Sequence, residues 1–109
     1  MSFRVDAGGA GAVGALPEQT RATRRRPKKY KVLMLRDAGT PEGFQTEVLV
    51  TVFARTPDDA ATILAAIRRR GLGVCGLYSL EVAETKVMHV VDMARQRGYP
   101  LRLQIEPEE

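Results

Sequence analysis

Residues 71–76, Gly-Leu-Gly-Val-Cys-Gly, satisfy the spacing G-x-G-x-x-G. In a dinucleotide site that spacing follows a strand and opens a helix, so that the helix N-terminus faces the pyrophosphate. Here it follows a helical pattern and opens a β-rich run. It therefore reads as a helix C-cap with a tight turn. Cys75 is the single cysteine and His89 the single histidine. A zinc site needs several Cys, His or carboxylate ligands in a defined geometry, and these two residues do not supply one. A nucleophilic cysteine needs an oriented base, and no histidine lies near Cys75 in sequence. Cys75 reads as a small packed residue, and His89 as a solvated side chain off the apolar face of its helix. With no phosphate loop and no triad in a recognisable order, an enzyme is the class the residues support least, and no cofactor is expected.

Charged residues offer more. Arg36-Asp37-Ala38-Gly39 forms a polar turn after an apolar run, and Arg68-Arg69-Arg70 ends a helical pattern. A basic last turn is the ordinary complement of the helix dipole. Residues 1–29 carry seven basic and two acidic side chains, whereas residues 30–109 carry ten basic and eleven acidic ones. The net charge of +4 therefore belongs to the N-terminal segment. A fold that grips nucleic acid over its own surface is not indicated. The basic run 21–29 would contact a polyanion by charge alone, without reading sequence.

These residues have to be positioned by a chain of 109 residues, a length that suits one domain with one core. Residues 1–29, rich in Gly, Ala and then Arg, lack a hydrophobic period and read as a disordered basic arm. The domain is expected over 30–109. Tyr30–Leu35 (YKVLML) reads as a strand buried on at least one face. Thr40-Pro41 reads as a helix start, with a hydroxyl cap and a proline at the first helical position. Phe44, Val48, Leu49 and Val52 follow at helical spacing. Thr56-Pro57-Asp58-Asp59 repeats the device, and Ala60, Ile63, Leu64 and Ile67 form one apolar face ending at Gly71. Val74–Ser79 reads as a second strand. Ser79 caps a third helix, whose stripe is Ala83, Val87, Val90, Val91 and Ala94, and Gly98 and Pro100 stop it. Leu101–Ile105 alternates as a half-buried third strand. The expected fold is an α/β (α+β) two-layer sandwich, a three-stranded sheet covered by three helices. No apolar run approaches the roughly 20 residues of a membrane span. One cysteine makes no internal disulfide, so a cytoplasmic location is the default; a monomer is expected.

The segments YKVLML, Asp37, Thr40-Pro41, Phe44, Val74-Cys75-Gly76-Leu77-Tyr78, Glu81-Val82-Ala83-Glu84-Thr85-Lys86-Val87 and Gly98-Tyr99-Pro100-Leu101 together resemble the ClpS adaptors. The resemblance spans roughly residues 28–107, and Glu-Val-Ala-Glu-Thr-Lys is its most specific part. It implies a non-enzymatic ClpS-like adaptor. Such proteins bind polypeptides with a large hydrophobic N-terminal residue and hand them to the N-terminal domain of a ClpA- or ClpC-type unfoldase, which feeds a protease. An unstructured N-terminal extension assists delivery.

Carried over residue by residue, the docking face falls on Glu81, Glu84 and Lys86. The substrate pocket falls on Arg36, Asp37, Thr40, Pro41, Glu42, Leu64, Ile67, Arg68 and Leu101. Here the chain departs from the family pattern. An Asn-Asp-Asp turn in the family is Arg36-Asp37-Ala38, a histidine is Arg68, and a gate that is commonly methionine is Glu42. Two guanidiniums near a cationic α-amine repel it, and arginine does not lose its proton. At 4 Å one such repulsion is on the order of 4 kcal/mol at an effective dielectric near 20. Pairing of Arg36 with Glu42, or of Arg68 with Asp37, would offset it. Three readings follow: an adaptor selecting altered cargo, an ordinary recogniser of hydrophobic N-termini with a rebuilt amine clamp, and a docking-only regulator or binding module that uses its basic arm.

Overall fold

A computed structural model describes residues 28–108 and the backbone of residues 3–6. The elements are β1 (Phe3–Asp6), β2 (Tyr30–Leu35), α1 (Glu42–Thr51), α2 (Pro57–Arg70), β3 (Leu72–Tyr78), α3 (Leu80–Arg97) and β4 (Arg102–Pro107). The three expected strands and three expected helices are all present. The three strands and β1 form a four-stranded antiparallel sheet in the order β1-β4-β2-β3.

Local chemistry explains most of the boundaries. The Thr56 side chain accepts from the Asp59 N–H at 3.0 Å, and Pro57 opens α2. Gly71 ends α2 in the left-handed region, at φ 92°, and its N–H donates to the Ile67 carbonyl at 2.9 Å. Glycine takes that conformation without the steric penalty of a Cβ. The G-x-G-x-x-G run thus caps a helix and opens a strand. Ser79 accepts from the Val82 N–H at 3.3 Å and starts α3.

The core lies between the helices and one face of the sheet. Val32 and Met34 of β2, Leu103 and Ile105 of β4, Phe44 and Val48 of α1, Leu64 and Ile67 of α2, and Val87, Val90 and Val91 of α3 are all buried in it. Burying an aliphatic side chain of this size stabilises by about 1.5–3 kcal/mol, and the helical stripes set which face of each helix turns inward.

The structure departs from the sequence reading in three places. Thr40 does not cap α1: the helix begins at Glu42 with Pro41 as its N-cap and no side-chain cap bond. The Thr40 hydroxyl donates instead to Asp37 Oδ2 at 2.5 Å. A hydrogen bond to a charged acceptor is strong, and this one turns the Thr40 side chain toward the Asp37 turn and away from the helix end. Second, the β2–β3 register shifts between Val32, opposite Gly76, and Leu33, opposite Val74. Cys75 is the extra residue of a β-bulge, and its carbonyl accepts from Arg55 Nε at 2.7 Å. Third, Phe3–Asp6 pairs with Arg102–Ile105 as a fourth strand, which differs from the reading of residues 1–29 as a disordered arm. The remainder of that arm, residues 1–2 and 7–27, lies outside the described residues.

Candidate functional site

The turn after β2 is organised by Asp37. Its Oδ1 accepts from the Gly39 N–H at 3.0 Å, and its Oδ2 accepts from the buried Thr40 hydroxyl. This is an Asx turn closed by a second side chain. Each carboxylate oxygen has a second lone-pair direction, so Asp37 keeps acceptor capacity for a further donor. A Cβ on Gly39 would approach Pro100 Cγ to 2.9 Å. The turn is therefore packed against the segment that leads into β4, where Leu101 is fully buried.

The end of α2 closes the other side. The Arg36 N–H donates to the Gly71 carbonyl at 2.9 Å, and Arg36 Nη1 donates to the Arg68 carbonyl at 3.0 Å. Arg68 Nη1 donates to Glu42 Oε2 at 2.6 Å, and both side chains are more than half exposed. The sequence leaves open a pairing of Arg36 with Glu42 or of Arg68 with Asp37. The structure contradicts both, because the Arg36 guanidinium is taken by the electronegative C-terminus of α2 and Asp37 is engaged by its own turn. The chain thus brings Arg36, Asp37, Thr40, Glu42 and Arg68 to one rim. Leu64, one turn before Arg68, and Ile67 are buried beneath it, and Pro41 is exposed.

The second candidate region is the start of α3. Glu81 is exposed and Glu84 half-buried. Desolvation, followed by the nearby Glu81 charge, raises the pKa of Glu84. Lys86 does not project freely beside them. Its Nζ donates to the Val52 carbonyl at the C-cap of α1, 2.9 Å away, and sits 5.2 Å from the centroid of the Tyr78 ring. No basic residue of α1 lies in its own last turn, so Lys86 supplies that charge from α3. Exposed apolar side chains, Leu77 and Val82, lie close in sequence to the acids.

Sequence reasoning missed the roles of Gly39, Pro100, Tyr78 and Arg55. Pro100 gave a signal only as a helix stop, and the contact of Arg55 with the bulge had none. Cys75 is buried, and burial pushes its thiol up to about 12 against the smaller opposing effect of Arg55. His89 is exposed. Among the described residues no group of three or more His, Cys, Asp or Glu side chains is placed to hold a metal ion, and no helix is long and apolar enough to cross a membrane.

Comparison with known proteins bears on this geometry. The family model described as ATP-dependent Clp protease adaptor protein ClpS matches residues 25–104. The chain is 44% identical over 93 residues to the ATP-dependent Clp protease adapter protein ClpS of Maricaulis maris (strain MCS10), covering 85% of each. It is 48% identical over 84 residues to the corresponding protein of Gluconobacter oxydans (strain 621H), covering 77% of this chain and 71% of that one. Among solved structures, Agrobacterium tumefaciens ClpS2 bound to L-phenylalaninamide is similar, with a TM-score of 0.72 and 37% identity. The likeness covers 76% of this chain and 100% of that one.

Proposed function

Since this chain belongs to the ClpS family of Clp protease adaptors, we propose that it docks on the N-terminal domain of a ClpA- or ClpC-type unfoldase and delivers proteins bearing a large hydrophobic N-terminal residue. The family consists of adaptors, and this member is not an enzyme.

The observation that carries the recognition half is Asp37. Its carboxylate is fixed by the Gly39 N–H and the Thr40 hydroxyl, at the rim above buried apolar side chains of α2 and Leu101. An α-amine presents three donors and a positive charge to such an acceptor, and the first side chain enters the apolar region below. The relative whose solved structure holds L-phenylalaninamide binds a molecule with just those two features. The arginines temper the site without closing it electrostatically. Arg68 is neutralised by Glu42, and Arg36 is directed to a helix C-terminus. What remains of their repulsion is screened at the solvent-exposed rim.

Docking is assigned to Glu81 and Glu84, with the apolar Val82 between them and Lys86 behind. Lys86 acts chiefly by fixing the start of α3 against α1 and Tyr78. Calorimetric titration of the full chain into isolated ClpA-type and ClpC-type N-terminal domains tests this half. Binding to one of them, weakened by Glu81→Lys, is expected. Failure to bind either contradicts it. A second reading, docking without cargo, draws on the Arg68–Glu42 ion pair, which spans the rim between α1 and α2.

A further inference from the structure

Arg36 and Arg68 are both exposed at the rim, and of the two only Arg68 has a carboxylate ion-pair partner, Glu42. The Arg36 guanidinium spends one N–H on the Arg68 carbonyl, and a guanidinium has five. Several donors on Arg36 therefore remain for another acceptor, in a fork that fits a carboxylate.

Their position relates this charge to a bound N-terminus. Arg36 adjoins Asp37 in the chain, and Asp37 is the acceptor assigned to the α-amine. In an extended peptide, successive side chains point to opposite faces and each residue advances about 3.3 Å. With the first side chain directed into the buried region, the second returns toward solvent and the arginine rim. A lysine there meets like charge, and a carboxylate meets unused guanidinium donors.

We infer that Arg36, with Arg68 beside it, makes this protein select cargo whose second residue is acidic. The inference rests on the N-terminal recognition proposed above and adds a specificity that the N-terminal residue alone does not give. Glu42 sharpens it: the carboxylate already on Arg68 leaves Arg36 as the principal contact.

Fluorescence anisotropy of the full chain with three labelled peptides, Phe-Asp, Phe-Ala and Phe-Lys at their first two positions and identical thereafter, tests it. The Phe-Asp peptide is expected to bind tighter than the Phe-Lys peptide by roughly twofold to tenfold at low salt, since an attraction in one and a repulsion in the other each contribute on the scale of an exposed ion pair. The ratio should shrink toward one near 0.5 M salt, where the screening length falls to about 4 Å. Arg36→Gln should lower the ratio at low salt, and Arg36→Lys should largely keep it. If the Phe-Ala peptide binds and Phe-Asp binds no tighter than Phe-Lys, the second-residue selection is wrong while N-terminal recognition stands. If none of the three binds, recognition itself fails and the inference falls with it.

Discussion

Arg68, in the last turn of α2, holds Glu42, in the first turn of α1, at 2.6 Å. The pair joins two helices across the rim of the region that the family pattern assigns to cargo. Because both side chains are more than half exposed, its contribution to folding is small, about 0.2–1 kcal/mol. Its influence on a bound cation is larger in kind, since removing Glu42 releases the positive charge of Arg68 toward the amine.

Glu42→Gln should therefore weaken binding of a peptide with a free N-terminal Phe while moving the thermal midpoint by only a few degrees, as about 1 kcal/mol shifts a domain of this size by some 4–8 °C. Arg68→His, which restores the family residue, should tighten binding at pH 7.5, where an ordinary imidazole is mostly neutral. Anisotropy and thermal denaturation of the two variants decide this. Equal affinity for both variants and the unchanged protein would show that the charge of Arg68 does not reach the amine.

Lys86 and Glu81 separate docking from stability. Lys86 Nζ holds the Val52 carbonyl and lies over the Tyr78 ring. Lys86→Ala leaves a helix-end carbonyl without its charged donor and should cost about 1–2 kcal/mol, read from denaturant unfolding. Glu81 is exposed, and its side chain takes no part in those contacts. Glu81 stands in the first turn of α3, so Glu81→Lys should cost only a modest helix-dipole contribution, less than Lys86→Ala, and weaken unfoldase binding. A stability loss with Glu81→Lys as large as that of Lys86→Ala would contradict this division.

Cys75 is a packed residue of the β3 bulge, with its thiol pushed up to about 12 by burial. In the unfolded chain the thiol ionises near its ordinary value of about 8.5. Between those values the native state holds the proton that the unfolded state releases. The stability linked to Cys75 is thus fully present below pH 8 and is lost as pH rises toward 12. Desolvation raises Tyr78 as well, which extends the loss into the alkaline range. Thiol labelling at pH 8 should be at least about a hundredfold slower in native protein than in denaturant. Unfolding midpoints should fall steadily above pH 9, less so for Cys75→Ala. Rapid labelling of the native protein would place the thiol at the surface.

Much of the fold was legible in the sequence because its punctuation is local. Thr56-Pro57, Ser79, Gly71 and Gly98 start and stop helices by rules that operate within four residues. The stripe Ala83, Val87, Val90, Val91, Ala94 left one face for α3 to bury. What escaped was decided by partners distant in sequence or by competition between them. Thr40 has the look of a helix cap, but its side chain is turned to Asp37. The bulge at Cys75 is a register event between β2 and β3, and single-strand periodicity carries no register. Arg68 was placed at the rim by the family pattern, yet its choice of Glu42 over Asp37 depends on how α1 and α2 cross. Phe3–Asp6 is too short, and too far from other patterned sequence, to announce its pairing with β4.

Asp37 is proposed to receive a free α-amine despite Arg36 and Arg68. The most direct test is anisotropy of a labelled peptide with N-terminal Phe beside its N-acetylated twin, with Asp37→Ala as the site control. The free peptide should bind at about micromolar affinity or better, lose at least about tenfold on acetylation, which removes the charge and two of the donors, and lose a comparable amount in Asp37→Ala. Equal binding of the two peptides, or no binding of either, would contradict it.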